Sequence, residues 1–146
     1  MRDEGYRGRV RADSFGGLAV ILDTNGLSAF FDWEERVVAH LARANAVHLP
    51  VIVIGEYRFG LRRSRLRKER EPGLAEFARA CVVLPVLELT ALPYAAIRHE
   101  LKRAGTPIPE NDIWIAALAV EYSLPILSDD RHFDAVRQVK RVSWQG

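Results

Sequence analysis

Short, unbroken apolar runs alternate along this chain with longer segments of helical periodicity. The first run, residues 18–22, contains five apolar residues and leads directly into Asp23. Such a run is typical of a strand that is buried on both faces of a parallel sheet and ends at the acid. Similar runs predict later strands over residues 47–51, 81–86, 125–127 and 139–144.

Helices are predicted between these strands from capping residues and from apolar positions three and four residues apart. They cover residues 32–45, 52–63, 74–80 and 93–104, a further helix begins at residue 110, and a helical turn runs through residues 133–136. The alternation predicts an α/β fold, a three-layer α/β/α sandwich with a mostly parallel sheet of about five strands.

The length of 146 residues predicts one domain. Residues 1–17 are polar and contain glycine, so we expect a flexible N-terminal arm, or a misassigned start, before a single domain over residues 18–146.

Composition narrows the class of protein. The only cysteine, Cys81, lies in an apolar run, which excludes an internal disulfide and favours a reducing compartment. No apolar run approaches the roughly 20 residues that span a bilayer, and the first residues lack the apolar core of a signal peptide. We therefore expect a soluble, cytoplasmic protein with no membrane partner.

Charge alone does not define a partner, because the net charge is only +2. Basic side chains nevertheless concentrate in residues 58–70, where seven of thirteen residues are basic and one is acidic. One interpretation is a solvated helix end and loop. The other is a rim that follows phosphates, because like charges repel unless a polyanion screens them. The sequence leaves both open.

Four acids each lie at or just after the exit of a predicted element, at the same edge of the predicted sheet. They are Asp23, Glu56, Asp112 and Asp130. Carboxylate oxygens are the ligands that Mg²⁺ and Mn²⁺ prefer, and a bound cation relieves the repulsion between clustered carboxylates. Such ions activate water for attack on phosphorus, so the pattern points to phosphodiester hydrolysis. The alternative for Asp23 and the two residues after it is a turn or a helix cap.

Two further residues carry expectations near these acids. Gly60 lies four residues after Glu56 in a predicted helix, and because glycine is unfavourable there we expect a close approach of backbone, ligand or a neighbouring element. His132 is the only imidazole near the acids, and we expect it to be a surface residue rather than a metal ligand.

Together these motifs resemble those of PIN-domain nucleases, specifically VapC-like toxins. The resemblance covers residues 18–146. It rests on Leu-Asp-Thr-Asn at residues 22–25, Glu56 with Gly60, Glu-Asn-Asp-Ile-Trp-Ile-Ala-Ala at residues 110–117, and Ser-Asp-Asp-Arg-His-Phe at residues 128–133. The segment around residues 111–117 and the final Asp-Arg-His-Phe are the more specific parts.

The resemblance implies a ribonuclease of a type II toxin–antitoxin pair that cuts RNA with Mg²⁺ or Mn²⁺, is inhibited by its antitoxin and forms a homodimer. It assigns the catalytic and metal-binding roles to Asp23, Glu56, Asp112 and Asp130. Further candidates for placing the metal or its water are Thr24, Asn25 and, more weakly, Asp129. Candidates for contacting RNA or antitoxin are Arg58, Arg62, Arg63 and Arg65.

Three other classes of protein compete with this interpretation. A PIN-type RNA-processing nuclease without an antitoxin is the strongest alternative. A haloacid-dehalogenase-like phosphatase needs a second aspartate where this chain has Asn25. A receiver-like module needs an acid after its central strand and a lysine after its last, places that Glu88 and Lys140 do not fill.

Overall fold

A computed structural model describes residues 18–145, so the arm predicted for residues 1–17 lies outside the described part of the chain. A sheet of five strands forms the centre, in the order β3-β2-β1-β4-β5, and every neighbouring pair is parallel. The strands are β1 (Ala19–Leu22), β2 (Ala46–Pro50), β3 (Val82–Leu84), β4 (Ile126–Leu127) and β5 (Arg141–Val142).

Six α-helices accompany this sheet within residues 18–145. They are α1 (Thr24–Phe31), α2 (Glu35–Arg43), α3 (Val51–Leu61), α4 (Arg67–Ala80), α5 (Ala91–Ala104) and α6 (Glu110–Tyr122). Short 3₁₀ helices span Glu88–Thr90 and Arg131–Ala135. No helix in this described part is both long and apolar enough to cross a membrane.

The central strand β1 confirms the layered architecture. All four of its residues are buried, and because alternate side chains point to opposite faces, both faces of the sheet must be covered. In β1, Ile21 pairs with His48 of β2 on one side and with Ile126 of β4 on the other. The carboxyl end of β1 therefore lies in the middle of the sheet edge.

Helix α1 was not predicted, because Thr-Asn-Gly directly after a strand is typical of a turn. In the structure, Asp23 caps the helix by accepting a 2.8 Å hydrogen bond from the backbone N–H of Gly26. Aromatic side chains then hold α1 in place: Phe31 stacks on Tyr57 of α3 at 5.3 Å, and Phe30 contacts Phe77 of α4 at 4.6 Å between ring centroids.

Other predicted boundaries shift for identifiable reasons. Helix α4 begins at Arg67 rather than at the predicted residue 74, and it contains Pro72 in its first turns, where proline is tolerated better than further along a helix. Residues 71–80, which follow the basic segment, are therefore helical throughout. The predicted end of α5 at Gly105, which adopts φ +69°, is confirmed. The predicted start of α6 at Glu110 is confirmed as well.

For protein atoms, the close approach of backbone or a neighbouring element predicted at Gly60 is wrong. A methyl group on Gly60 would meet no atom within 4 Å. The tight glycine is instead Gly26, where a methyl group would lie 2.5 Å from Leu22 Cδ1 and 3.2 Å from the carbonyl oxygen of Leu127. The first turn of α1 is thus pressed against β1 and β4, and a side chain there has no room.

Candidate functional site

The four predicted acids lie at the carboxyl edge of the sheet, on four different segments. Asp23 follows β1 and Asp130 follows β4, while Glu56 lies on α3 and Asp112 in the first turn of α6. Their charges interact, since Asp112 and Asp130 both raise the pKa of Asp23, and Asp130 and Glu56 raise that of Asp112. The convergence that the sequence suggested is therefore present.

Asp23 is the most enclosed of these acids, with only 2% of its surface exposed. Its Oδ1 accepts from the N–H of Gly26, and its Oδ2 accepts a short hydrogen bond from the hydroxyl of Ser128. Burial raises the pKa of Asp23 to about 7, the two hydrogen bonds oppose that rise, and the neighbouring carboxylates add to it. Asp23 is therefore a helix cap that also lies beside the other acids, so the cap does not exclude a role in the site.

Asp112, Asp130 and His132 form the exposed part of the site. The Nδ1 atom of His132 lies 3.1 Å from Asp112 Oδ2 and 3.0 Å from Asp130 Oδ1. One potential ligand atom from each residue lies within 4.8 Å of the others. Burial raises the pKa of Asp112, the hydrogen bond with His132 lowers it, and the charge of Asp130 raises it again.

Glu56 is held from two sides. Thr24 donates its hydroxyl hydrogen to Glu56 Oε1, and Asn111 donates its amide hydrogen to Oε2, both at 2.7 Å. The two donors lie in the first turns of α1 and α6, so the contacts fix Glu56 between the segments that carry Asp23 and Asp112.

The two weaker candidates, Asn25 and Asp129, differ in whether they lie near the other acids. Asn25 lies 3.5 Å from Asp130 Oδ2, at the rim of the cluster. Asp129 instead accepts a 2.7 Å hydrogen bond from the hydroxyl of Ser143, after β5. The structure therefore gives Asp129 a partner away from the other acids.

The basic segment around the turn between α3 and α4 is only partly paired. Arg58 lies 3.4 Å from Glu71, and Arg70 is bonded to Asp32. In the turn itself, three arginines have exposed side chains that make no hydrogen bond or ion pair with any other residue of 18–145. They are Arg62, Arg63 and Arg65.

Sequence reasoning missed two residues of the site and placed a third on the plain surface. Ser128 is fully buried and holds Asp23, and Asn111 holds Glu56. His132, expected to be only a surface residue, is half-exposed but faces two carboxylates. A signal for Ser128 was available, because a serine two residues before Asp130 can accept its backbone N–H, as it does at 2.8 Å.

The donor set fits a hard divalent cation. Several carboxylates close enough to raise one another's pKa are costly together unless a cation neutralises them. Oxygen donors dominate the site, and the described residues around it offer no thiolate. This composition suits Mg²⁺ or Mn²⁺ better than a structural zinc ion.

The chain belongs to the PIN domain family, whose match covers residues 20–139. It is 32% identical over 121 residues to Ribonuclease VapC5 of Mycobacterium tuberculosis, a match that spans 81% of this chain and 87% of that protein. This confirms the resemblance to VapC-like PIN nucleases and supports it over the phosphatase and receiver interpretations.

Solved structures confirm the α/β fold. The chain is similar to a structure of VapBC-5 from Mycobacterium tuberculosis, described as a member of a family of toxin–antitoxin systems, with a TM-score of 0.69, 27% identity, and coverage of 86% of this chain and 98% of that one. A structure of VapBC2 from Rickettsia felis, bound to a promoter DNA fragment, shares the fold with a TM-score of 0.78, 19% identity and coverage of 87% and 99%.

Proposed function

We propose that this chain is a metal-dependent endoribonuclease that acts as the toxin of a type II toxin–antitoxin pair. The observation that carries the proposal is the convergence of four carboxylates from four segments at one sheet edge, with the pKa of buried Asp23 raised to about 7. The similarity to Ribonuclease VapC5 and to VapBC-5 supports the choice of RNA as substrate and of an antitoxin as partner.

Asp23, Glu56, Asp112 and Asp130 would hold the cation, Mg²⁺ or Mn²⁺. When bound, the cation supplies the Lewis acidity that hydrolysis of a phosphodiester by water requires. No serine–histidine pair or lysine nucleophile is aligned at the acids within residues 18–145, so a covalent route has no support there.

The chain's own residues would prepare the site before RNA arrives. Ser128 and the N–H of Gly26 fix both oxygens of Asp23, and Thr24 and Asn111 fix both oxygens of Glu56. Carboxylates that are already oriented lose little freedom when they bind a cation or orient water, which favours catalysis. Arg62, Arg63 and Arg65 would bind phosphates of the approaching strand.

The first test is RNA cleavage with and without metal. We expect cleavage of single-stranded RNA with Mg²⁺ or Mn²⁺, complete loss in excess EDTA, and recovery when the ion is returned. Asp112→Asn should lower the rate by at least about 100-fold, because it removes an ionised ligand. Glu76→Gln, which neutralises an exposed acid on α4, is the matched control and should cleave normally. Full activity of the parent in EDTA would refute the metal-dependent mechanism.

The toxin role has its own test. A short reading frame beside this gene should encode a DNA-binding protein that forms a complex with this chain and suppresses its ribonuclease activity. If no such partner exists and the chain still cleaves RNA, the alternative of an RNA-processing PIN nuclease without an antitoxin is correct. A cytoplasmic location and a homodimer are further parts of this proposal, to be checked by fractionation and by light scattering.

A further inference from the structure

We infer that His132 is a metal ligand, and that its nitrogen makes the site prefer Mn²⁺ over Mg²⁺. This inference rests on the proposed function, because it concerns the cation of the proposed nuclease site. It adds to the four acids a residue that sequence reasoning placed on the surface.

The position of His132 is set by the local fold. Asp130 caps the 3₁₀ helix Arg131–Ala135 by accepting a 2.9 Å hydrogen bond from the backbone N–H of His132. The next residue, Phe133, is fully buried and anchors that helix in the core. The imidazole is thus attached to the same rigid turn that positions Asp130, and its Nδ1 faces the cluster rather than solvent.

The distances from His132 Nδ1 to the two carboxylates match those between neighbouring ligands of one cation, and one potential ligand atom from each of the three residues lies within 4.8 Å of the others. Neighbouring ligands of an octahedral ion with bonds of about 2.1 Å lie about 3.0 Å apart. The Nδ1 atom of His132 lies 3.1 Å from Asp112 Oδ2 and 3.0 Å from Asp130 Oδ1. The same distances would suit a proton shared between the nitrogen and the carboxylates, so the experiment must separate a proton from a metal.

Ligand chemistry then gives the selectivity. Mg²⁺ is bound mainly through oxygen and gives up its bound waters reluctantly, whereas transition-metal ions accept imidazole nitrogen readily. A site built from carboxylates alone would distinguish Mg²⁺ from Mn²⁺ weakly. Adding one nitrogen donor strengthens binding of Mn²⁺ without a comparable gain for Mg²⁺.

The test compares the full chain with His132→Asn, measuring metal binding rather than cleavage. Asparagine is short enough to bring its amide oxygen near the position of Nδ1, so this variant exchanges a nitrogen donor for an oxygen donor. Titration calorimetry with Mn²⁺ and with Mg²⁺ gives the ratio of the two affinities. We expect that ratio to fall by roughly tenfold or more, since loss of even an outer partner of a ligand commonly lowers affinity 10- to 100-fold.

A spectroscopic readout identifies the ligand directly. Pulsed electron paramagnetic resonance of the Mn²⁺-loaded parent should show coupling to a coordinated imidazole ¹⁴N, and the coupling should disappear in His132→Asn. The matched control is His99→Asn, which changes an exposed histidine on α5 and should keep both the affinity ratio and the ¹⁴N signal.

The outcomes distinguish this inference from the proposed function. Binding of both ions with an unchanged ratio and no ¹⁴N coupling in the parent would overturn the role of His132 and leave the carboxylate site standing. Metal binding with the expected ¹⁴N coupling but no cleavage of RNA would overturn the nuclease proposal and support the ligand. Failure of the parent to bind either ion would overturn both.

Discussion

Asp23 is both a helix cap and a buried acid beside other acids, and these two environments have opposite effects on its ionisation. As the cap of α1 it accepts the N–H of Gly26, and as a buried acid beside Asp112 and Asp130 it is costly to ionise. The pKa of Asp23, raised from 3.8 to about 7, reflects the cost of ionising this carboxyl group in its buried position. A carboxyl group whose pKa is shifted this far by burial and by neighbouring charges is typical of a functional site rather than of a plain helix cap.

Asp23→Asn should stabilise the metal-free protein at alkaline pH while abolishing cleavage. Between about pH 4 and pH 7 folded Asp23 keeps a proton that the unfolded chain has released, so the free energy of unfolding of the parent falls as pH rises through this window and stays low above it. The variant lacks this cost and should be more stable by about 2–4 kcal/mol at pH 8, with no gain near pH 4.

Urea denaturation in EDTA at pH 4 and pH 8 measures both differences. A variant that is less stable than the parent at pH 8 would show that Asp23 is chiefly structural. In Asp23→Asn, the amide oxygen can still accept the N–H of Gly26 and the amide nitrogen can donate to Ser128, so the helix cap is preserved.

At the residue scale the sequence indicated the acids but not their partners. Acids at strand ends are visible in one sequence because the end of an apolar run marks their place. Ser128, Asn111 and His132 contact Asp23, Glu56 and Asp112 across 20 to 105 positions, and no local pattern encodes these three pairings, although the short-range bond between Ser128 and Asp130 has a local signal. The polar partners therefore needed the structure.

Among the elements, α1 shows why sequence prediction failed where it did. Its first turn holds Thr24, Asn25 and Gly26, residues with weak helix propensity. What stabilises it is tertiary: the cap by Asp23 and the aromatic contacts of Phe30 and Phe31. The longer helices with clear starts, such as α6 at Glu110, were predicted correctly because their signals are local.

Two glycine variants test this account in opposite directions. Gly26→Ala should lower the free energy of unfolding by about 1–3 kcal/mol, because the added methyl group meets Leu22 and the Leu127 carbonyl. Gly60→Ala, in the open last turn of α3, should be neutral or raise it by up to about 1 kcal/mol. Denaturant titration of both variants provides the comparison. Equal effects would show that the packing of α1 against β4 is not tight.

The turn between α3 and α4 carries the arginines without partners, and its function can be tested by salt dependence. Replacing Arg62, Arg63 and Arg65 by alanine, in an Asp112→Asn background that prevents cleavage, should weaken RNA binding similarly for all sequences. The slope of log affinity against log salt should flatten by up to roughly 0.7 for each lost phosphate contact.

A control removes the same charge from the opposite edge of the sheet. Arg43 and Arg79 end helices that lead into β2 and β3, and Lys140 precedes β5; replacing these three exposed residues by alanine should leave the slope unchanged. Intact RNA binding with weakened inhibition would assign the arginines to the antitoxin. If neither changes, the segment is a solvated face.

For the molecule as a whole, the repulsion among the acids couples metal binding to stability. A ligand that binds only the folded state stabilises it by mass action, by about 2.7 kcal/mol at a concentration 100 times its dissociation constant. Mn²⁺ should therefore raise the melting temperature of the parent at pH 8. Asp112→Asn should show a much smaller rise. Identical rises in calorimetric scans would place the bound ion elsewhere.

The order of the strands also has a consequence in time. Strand β4 lies between β1 and β5 and is followed by Asp130, yet it begins at Ile126, after the segments that carry Asp23, Glu56 and Asp112. During synthesis, a chain that has already delivered Asp23, Glu56 and Asp112 still leaves one side of β1 open and lacks its fourth acid. A fragment that ends before Ile126 would therefore lack part of the proposed metal site, and the proposed toxin would become active only after β4 and Asp130 have been synthesised.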